Sequence, residues 1–371
     1  MTPRADEVVL RELRIGLLRP FRTSRVTTTE RRICVLEFRE HGETRGWSEC
    51  VAGEAPDYTA ETVDTAWHAL ENWLLPAVVG RSFRSLDELE GTLDFVRGHR
   101  MAKAAVETGF RVMAAAERGL SLAKSLGGGR ERVPTGASLG LGEDPDRIVA
   151  LALRAVDEGY ARIKMKIAPG RDYDAVRLVR DAVGPEVPLA ADANGAYGEA
   201  DSAELRRLDE LSLLFLEQPF APDDWLAHAR LQERMATPIC LDESIETAEQ
   251  LAAASALGAC RMVNIKPGRV GGLGAAVRLH DACAERGIPV FCGGMFETGI
   301  GRACNRALAS LPNFSVPGDL YPVSGYLESD IVRSDVRVVD GSVEVPGGPG
   351  LGVEVDAGRV DELTVRSARV A

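Results

Sequence analysis

Five charged residues recur along the middle of this chain at almost one interval: Lys166, Asp192, Glu217, Asp242 and Lys266, with gaps of 26, 25, 25 and 24. Each closes a short apolar run: Ile163–Lys166, Val187–Asp192, Leu213–Glu217, Ile239–Asp242 and Met262–Lys266. Amphipathic stretches of helical length separate the runs. A repeat of about 25 residues holding one strand and one helix is the pitch of a (β/α)8 barrel, whose strand ends converge on one catalytic face.

The 371 residues suffice for a barrel of roughly 200–250 residues and a smaller domain. A net charge of −12 argues against nucleic acid or an anionic membrane as partner. No run approaches the ~18 apolar residues of a membrane helix, and the first residues carry no apolar signal core. The seven cysteines are scattered with no Cys-x-x-Cys, so they read as buried hydrophobes in a reducing cytoplasm.

Residues 7–50 alternate as strands do, with Glu40-His41-Gly42-Glu43 as a hairpin turn. A polar loop, Pro20 to Val26, and a second, Val51 to Tyr58, interrupt this part. Helices are predicted over 59–75, 83–96 and 100–117. Eight barrel strands follow: Val133–Leu139, Arg162–Ile167, Val187–Asp192, Leu213–Glu217, Ile239–Asp242, Met262–Lys266, Pro289–Gly293 and Phe314–Pro317. Strand-like pieces around Ile331–Val338, Val343–Val345 and Leu363–Val370 are expected to rejoin the N-terminal sheet. The fold class is therefore α/β, a modified (β/α)8 TIM barrel under an α+β capping domain. Residues 1–126 and 327–371 form the cap, and 127–326 the barrel.

Asp192, Glu217 and Asp242 would end three adjacent strands. Three hard oxygen donors without His or Cys favour Mg2+ or Mn2+ over zinc, and no organic cofactor is indicated. Lys164 and Lys166 form a Lys-x-Lys whose side chains share one strand face. Two ammonium groups beside a divalent ion should repel, lowering each pKa towards the ~7–8 useful to a base. Lys266 faces them from half a barrel away, so Lys166 and Lys266 address opposite faces of one bound substrate. A carboxylate substrate whose charge a metal neutralises gains acidity at its α-carbon.

The strings Ile163-Lys-Met-Lys166, Ala191-Asp-Ala-Asn-Gly195, Leu216-Glu-Gln-Pro219, Leu241-Asp-Glu-Ser244 and Asn264-Ile-Lys-Pro-Gly-Arg-Val-Gly-Gly272 resemble the muconate-lactonising subgroup of the enolase superfamily. Within it the chain resembles the o-succinylbenzoate synthase/N-succinylamino acid racemase family, essentially end to end. The resemblance implies that Lys166 and Lys266 are the acid/base pair, that Lys164 assists electrostatically, and that Asp192, Glu217 and Asp242 hold the metal. It also implies racemisation of N-acylamino acids or o-succinylbenzoate synthesis, with dipeptide epimerisation as an alternative. A non-catalytic metal-binding scaffold is the alternative outside enzymes. In racemase-type members an Arg stands three residues after the sixth-strand lysine, as Arg269 does here.

Residues expected to touch substrate are Arg25, Glu54, Tyr58, Ser138, Asn194, Arg269, Gly294, Met295 and Asp319. The cap departs from the family pattern: Arg25 and Val26 replace an aromatic residue and Gly, and Gly53-Glu54 stands where a Met is usual. Arg25 is thus expected either to pair a substrate carboxylate or, with Glu54, to face solvent. Gly293-Gly294 and Gly299–Gly301 offer backbone N–H groups for an anion, or simply close packing. Gly271-Gly272-Leu273-Gly274 lacks the fingerprint of a dinucleotide loop. The five histidines lie away from strand ends, which argues against a His-based mechanism. Glu297 is near the barrel mouth without an assigned role. The expected protein is a cytoplasmic homo-oligomer acting on a small-molecule carboxylate.

Overall fold

The structure, a computed structural model, describes residues 2–142, 144–333 and 336–371. The chain begins with β1 (Glu7–Arg22), β2 (Thr27–Glu40) and β3 (Glu43–Cys50), an antiparallel meander. His41 and Gly42, at the β2–β3 turn, both have positive φ (52° and 84°), the twist that suits a two-residue hairpin. Helices α1 (Val63–Ala69), α2 (Leu86–Leu93) and α3 (Arg100–Glu117) pack on one face of this sheet. Phe38, Trp67, Phe83 and Phe110 lie in the core between them.

After α4 (Leu122–Ser125) comes β4 (Arg132–Pro134), then the barrel units. They run β5 (Ala137–Leu139), α5 (Pro145–Asp157), β6 (Ile163–Lys166), α6 (Tyr173–Val183), β7 (Leu189–Asp192), α7 (Ser202–Arg206), β8 (Leu216–Glu217), α8 (Trp225–Glu233), β9 (Ile239–Leu241) and α9 (Ala248–Leu257). β10 (Met262–Ile265), α10 (Pro267–Val270), α11 (Leu273–Glu285), β11 (Val290–Cys292) and α12 (Gly299–Ala309) complete them. Strands β5 to β11 form one parallel sheet in chain order, as right-handed crossovers build it.

Two details differ from the eight expected strands. The first is broken: Arg132–Pro134 pairs antiparallel with β13 (Ser342–Glu344), and only Ala137–Leu139 enters the barrel sheet. The eighth is not a regular strand. Residues 314–318 close the ring by single bridges, Phe314 to Val290 and Gly318 to Thr135, because this segment carries two prolines within Phe314–Pro317 or beside it at Pro312 and so cannot donate a full ladder.

The C-terminal pieces also part company. β15 (Thr364–Val370), after α13 (Ala357–Leu363), joins the edge of β1 and ties the C-terminus into the cap. β12 (Val332–Arg333) pairs instead with β14 (Glu354–Val355). Inside the barrel Phe215 and Phe291 stack at 5.2 Å beneath the guanidinium of Arg162. This aromatic floor carries the polar site above it.

Candidate active site

Lys164 and Lys166 alternate along β6, and Arg162 stands two residues before Lys164, so all three point into the barrel. Register sets the rest of the site. Lys166 is opposite Asp192, Asp192 opposite Glu217, and Glu217 opposite Cys240, which places Asp242 two residues on along the same face. Arg162, Lys164, Asp192, Glu217, Asp242 and Lys266 are buried. A period near 25 residues has become a ring of charge.

The charges are interleaved. Lys164 Nζ donates to Glu217 Oε2 (2.9 Å) and Asp319 Oδ2 (2.8 Å). Lys166 Nζ donates to Asp192 Oδ2 (2.6 Å) and Asn194 Oδ1 (2.7 Å). Lys266 Nζ donates to Asp242 Oδ2 (2.7 Å) and the Tyr58 hydroxyl (3.0 Å), and lies 4.5 Å from the Tyr58 ring centroid. Arg269, 1% exposed, donates to the other oxygen of Asp242 and to Tyr58.

Among the protein's own groups, this pairing works against the expected fall in pKa at Lys164. Burial pulls its pKa down, but Asp319, Glu217 and Asp192 outweigh that and hold it above the ordinary value. For Lys266, burial is likewise outweighed, by its hydrogen bond to the Tyr58 hydroxyl and by the Glu243 and Glu217 carboxylates. Strand spacing presents the two ammonium groups as neighbours; the fold puts a carboxylate beside each.

Above the ring lies a cleft of about 410 Å³, within the range of small-molecule sites. It gathers Arg25, Glu54, Tyr58, Ser138, Asn194, Gly294, Met295 and Asp319 around Lys164, Lys166, Asp192 and Lys266. Glu217, Asp242 and Arg269 sit beneath it. Several cap and rim residues are already engaged. Glu54, its side chain 67% exposed, pairs with Arg32 at 3.0 Å. Arg25 is exposed, as the solvent-facing alternative expected, yet its Nε donates to the carbonyl of Asn194 at 2.7 Å. Asp319 accepts from Arg162 (2.6 Å), Lys164 (2.8 Å) and Ser138 (2.9 Å). Burial raises its pKa, yet Lys164 and Arg162 hold it well below the usual range.

The glycine signals at Gly293, Gly299, Gly272 and Gly274 resolve as packing, while Gly294 lines the cleft. A Cβ on Gly293 would come within 2.4 Å of Asn264 Oδ1 and 2.6 Å of Lys266 Cε, so this position must stay bare for Lys266 to extend past it. The backbone N–H groups of Thr298 and Gly299 are taken by Glu49 and Asp330, which removes them as an anion site. At Gly272-Leu273-Gly274 the N–H groups of Leu273 and Gly274 donate to Glu107 of α3, a latch from cap to barrel. Glu297 accepts from Met295 N and Asn305 and pairs with Arg302, fixing the loop after β11.

Glu243 was missed from the sequence. On a continuing strand it would point away from Asp242's face, but β9 ends at Leu241 and the turn brings Glu243 to the cleft wall. Its Oε1 accepts from Asn194 (3.1 Å), its Oε2 has no hydrogen-bond partner, and burial pushes its pKa up.

Among the described residues, no three His, Cys, Asp or Glu side chains converge as a ready cage for an ion. The donor chemistry nevertheless fits a hard divalent cation: Asp192, Glu217 and Asp242 supply only carboxylate oxygens, at matched register on adjacent strands. Lys164, Lys166, Lys266 and Arg269 supply the balancing positive charge here.

A parallel barrel under an antiparallel cap, with lysines and carboxylates at its strand ends, defines an α/β enzyme of the capped-barrel class. Residues 5–127 match the mandelate racemase/muconate lactonizing enzyme N-terminal domain, and residues 147–359 the enolase C-terminal domain-like family. The chain belongs to the enolase superfamily. It is 45% identical to an o-succinylbenzoate synthase of Geobacillus kaustophilus, over 97% of this chain and 96% of that protein. It is equally 45% identical to an N-succinylamino acid racemase of an Amycolatopsis species, over 96% of each. A crystal structure of an enolase-superfamily member from Listeria innocua superposes with a TM-score of 0.94 at 36% identity, covering 99% of both chains.

Proposed function

We propose that this chain racemises N-succinyl or other N-acyl amino acids with Lys166 and Lys266 as paired acid and base. The observation that carries the reading is the placement of the two ammonium groups on one cleft from β6 and the end of β10, each with its own carboxylate. One lysine takes the α-proton from one face and the other delivers a proton to the opposite face. Lys164, buried between Asp192, Glu217 and Asp319, adds positive charge where the substrate carboxylate becomes dianionic. Asp192, Glu217 and Asp242 would hold Mg2+ or Mn2+. Such an ion, when bound, neutralises the substrate carboxylate and so acidifies its α-carbon.

A second reading, o-succinylbenzoate synthesis, is supported by the relatives of that name and uses Lys166 as base with Lys266 as a charge. Dipeptide epimerisation ranks below both. Its substrate's free ammonium needs an available acid on the last barrel segment, and Asp319 is already held by Arg162, Lys164 and Ser138.

Chiral chromatography of N-succinyl-L-phenylalanine, the o-succinylbenzoate precursor and a set of dipeptides, each incubated with the protein and Mg2+, tests the assignment. Appearance of N-succinyl-D-phenylalanine is expected. Turnover of the precursor alone would transfer the function to the synthase, and turnover of dipeptides alone would sink the favoured substrate class.

A further inference from the structure

The two lysines are held in the same way by different means. Each has one barrel carboxylate and one neutral oxygen: Tyr58 for Lys266, Asn194 for Lys166. Tyr58 belongs to the cap. Asn194 belongs to the barrel, but it is clasped from the cap. The tip of the β1–β2 hairpin, residues 23–26, is closed by Thr23, whose N–H donates to the carbonyl of Val26 (2.9 Å) and whose hydroxyl accepts from the N–H of Arg25 (3.1 Å). From that tip Ser24 Oγ donates to the carbonyl of Ala193 (2.9 Å). Arg25 Nε donates to the carbonyl of Asn194 (2.7 Å), with Nη2 at 3.5 Å from the carbonyl of Gly195.

The clasped turn is one that needs holding. Asn194 and Gly195 both have positive φ (46° and 67°), a region an asparagine enters at some energetic cost. A Cβ on Gly195 would meet Arg25 Nη2 at 2.9 Å. This conformation aims the Asn194 side chain inward, where its oxygen accepts from Lys166 (2.7 Å) and its amide donates to Glu243 (3.1 Å).

We infer that Arg25 is a positioning residue for Lys166, acting through the 193–195 turn and the Asn194 amide. The consequence is asymmetric: the first cap loop sets one base and the second, through Tyr58, sets the other. This rests on Lys166 and Lys266 being the base pair of the proposed function.

The test uses Arg25→Ala and Arg25→Lys, both at an exposed position on the hairpin tip. Reductive methylation with formaldehyde and cyanoborohydride, read by mass spectrometry, gives the labelling of Lys166 relative to Lys266. In Arg25→Ala that ratio should rise about threefold or more, the scale of losing a modest hydrogen-bonded restraint, and Arg25→Lys should restore part of it. An unchanged ratio, or equal gains at both lysines from a loosened cap, overturns the inference.

Exchange in D2O supplies the catalytic readout. In Arg25→Ala, inversion of N-succinylphenylalanine should fall about tenfold or more in both directions, as for a misplaced catalytic group. Deuterium uptake with retention should persist for the enantiomer that presents its α-proton to Lys266. A parallel fall in retention and inversion for both enantiomers contradicts the inference. If the native protein exchanges neither enantiomer, the proposed function fails, while the labelling ratio still decides the role of Arg25.

Discussion

The Tyr58 hydroxyl lies 3.0 Å from Lys266 Nζ and 3.1 Å from Asp242 Oδ1, joining a cap loop to the ends of two barrel strands. It is also 3.1 Å from Arg269 Nη1. One phenol thus sits at the junction of a proposed base, a proposed metal ligand and a buried cation. Burial pushes its own pKa up despite Arg269 and Lys266, which keeps it a neutral hydrogen-bonding group.

Tyr58→Phe keeps the ring over Lys266 and removes only the oxygen. Stability should drop by about 1 kcal/mol, the net worth of a buried hydrogen bond. The turnover number should fall about tenfold with little change in KM, since Lys266 loses one of the groups that aim it. Denaturant melts and steady-state kinetics check both.

Arg269→Gln leaves Asp242 with one cation fewer in a fully buried place. Removing one partner of such a pair costs about 3–5 kcal/mol. A urea titration of the variant should show that loss. A change below about 1 kcal/mol, typical of exposed pairs, would mean that Asp242 is not relying on this guanidinium.

The barrel, the ring of five charged residues and the cap were legible because a repeated period and strand alternation are local properties of sequence. What was not legible depends on contacts between distant segments. Asp319, 155 residues from Lys164, accepts from its ammonium and holds its pKa up, a contact that no spacing encodes. Glu243 was overlooked because the end of β9 breaks the alternation that would have turned it away. Glu54 answers to Arg32, and Arg25 to the Asn194 turn, pairings that no spacing in the chain encodes. The eighth barrel strand was placed correctly along the chain yet is only a bridged segment.

Glu49 of β3 accepts from the N–H of Thr298 at the start of α12, deep between cap and barrel. Burial, reinforced by Glu297 and Asp330 and opposed by Thr298 and Arg31, pushes its pKa from 4.5 up to about 8. Between those values the folded chain keeps a proton that the unfolded chain has lost. Its contribution to stability is therefore full below pH 4.5 and declines as pH rises to about 8. Glu49→Gln should flatten that decline, by an amount on the order of a few kcal/mol across the window. Unfolding free energies of both proteins at several pH values measure the difference.

Titrating the protein with Mn2+ by calorimetry should show one site, and excess metal should raise the melting temperature. At a hundredfold excess over Kd the gain is about 2.7 kcal/mol. Asp192→Asn, Glu217→Gln and Asp242→Asn should each weaken binding about tenfold or more, as loss of an anionic oxygen from a hard-ion site requires. Unaltered affinity in all three would remove these carboxylates as ligands.

The central claim is that two lysines serve the two faces of one substrate. Proton NMR of N-succinyl-L- and N-succinyl-D-phenylalanine in D2O with Mg2+, comparing the native protein with Lys166→Ala and Lys266→Ala, tests it most directly. The native protein should exchange the α-proton of both enantiomers and interconvert them. Each variant should lose interconversion and retain exchange of one enantiomer only, the opposite one in each case. Interconversion that survives in either variant, or a native protein that exchanges neither enantiomer, would contradict the account.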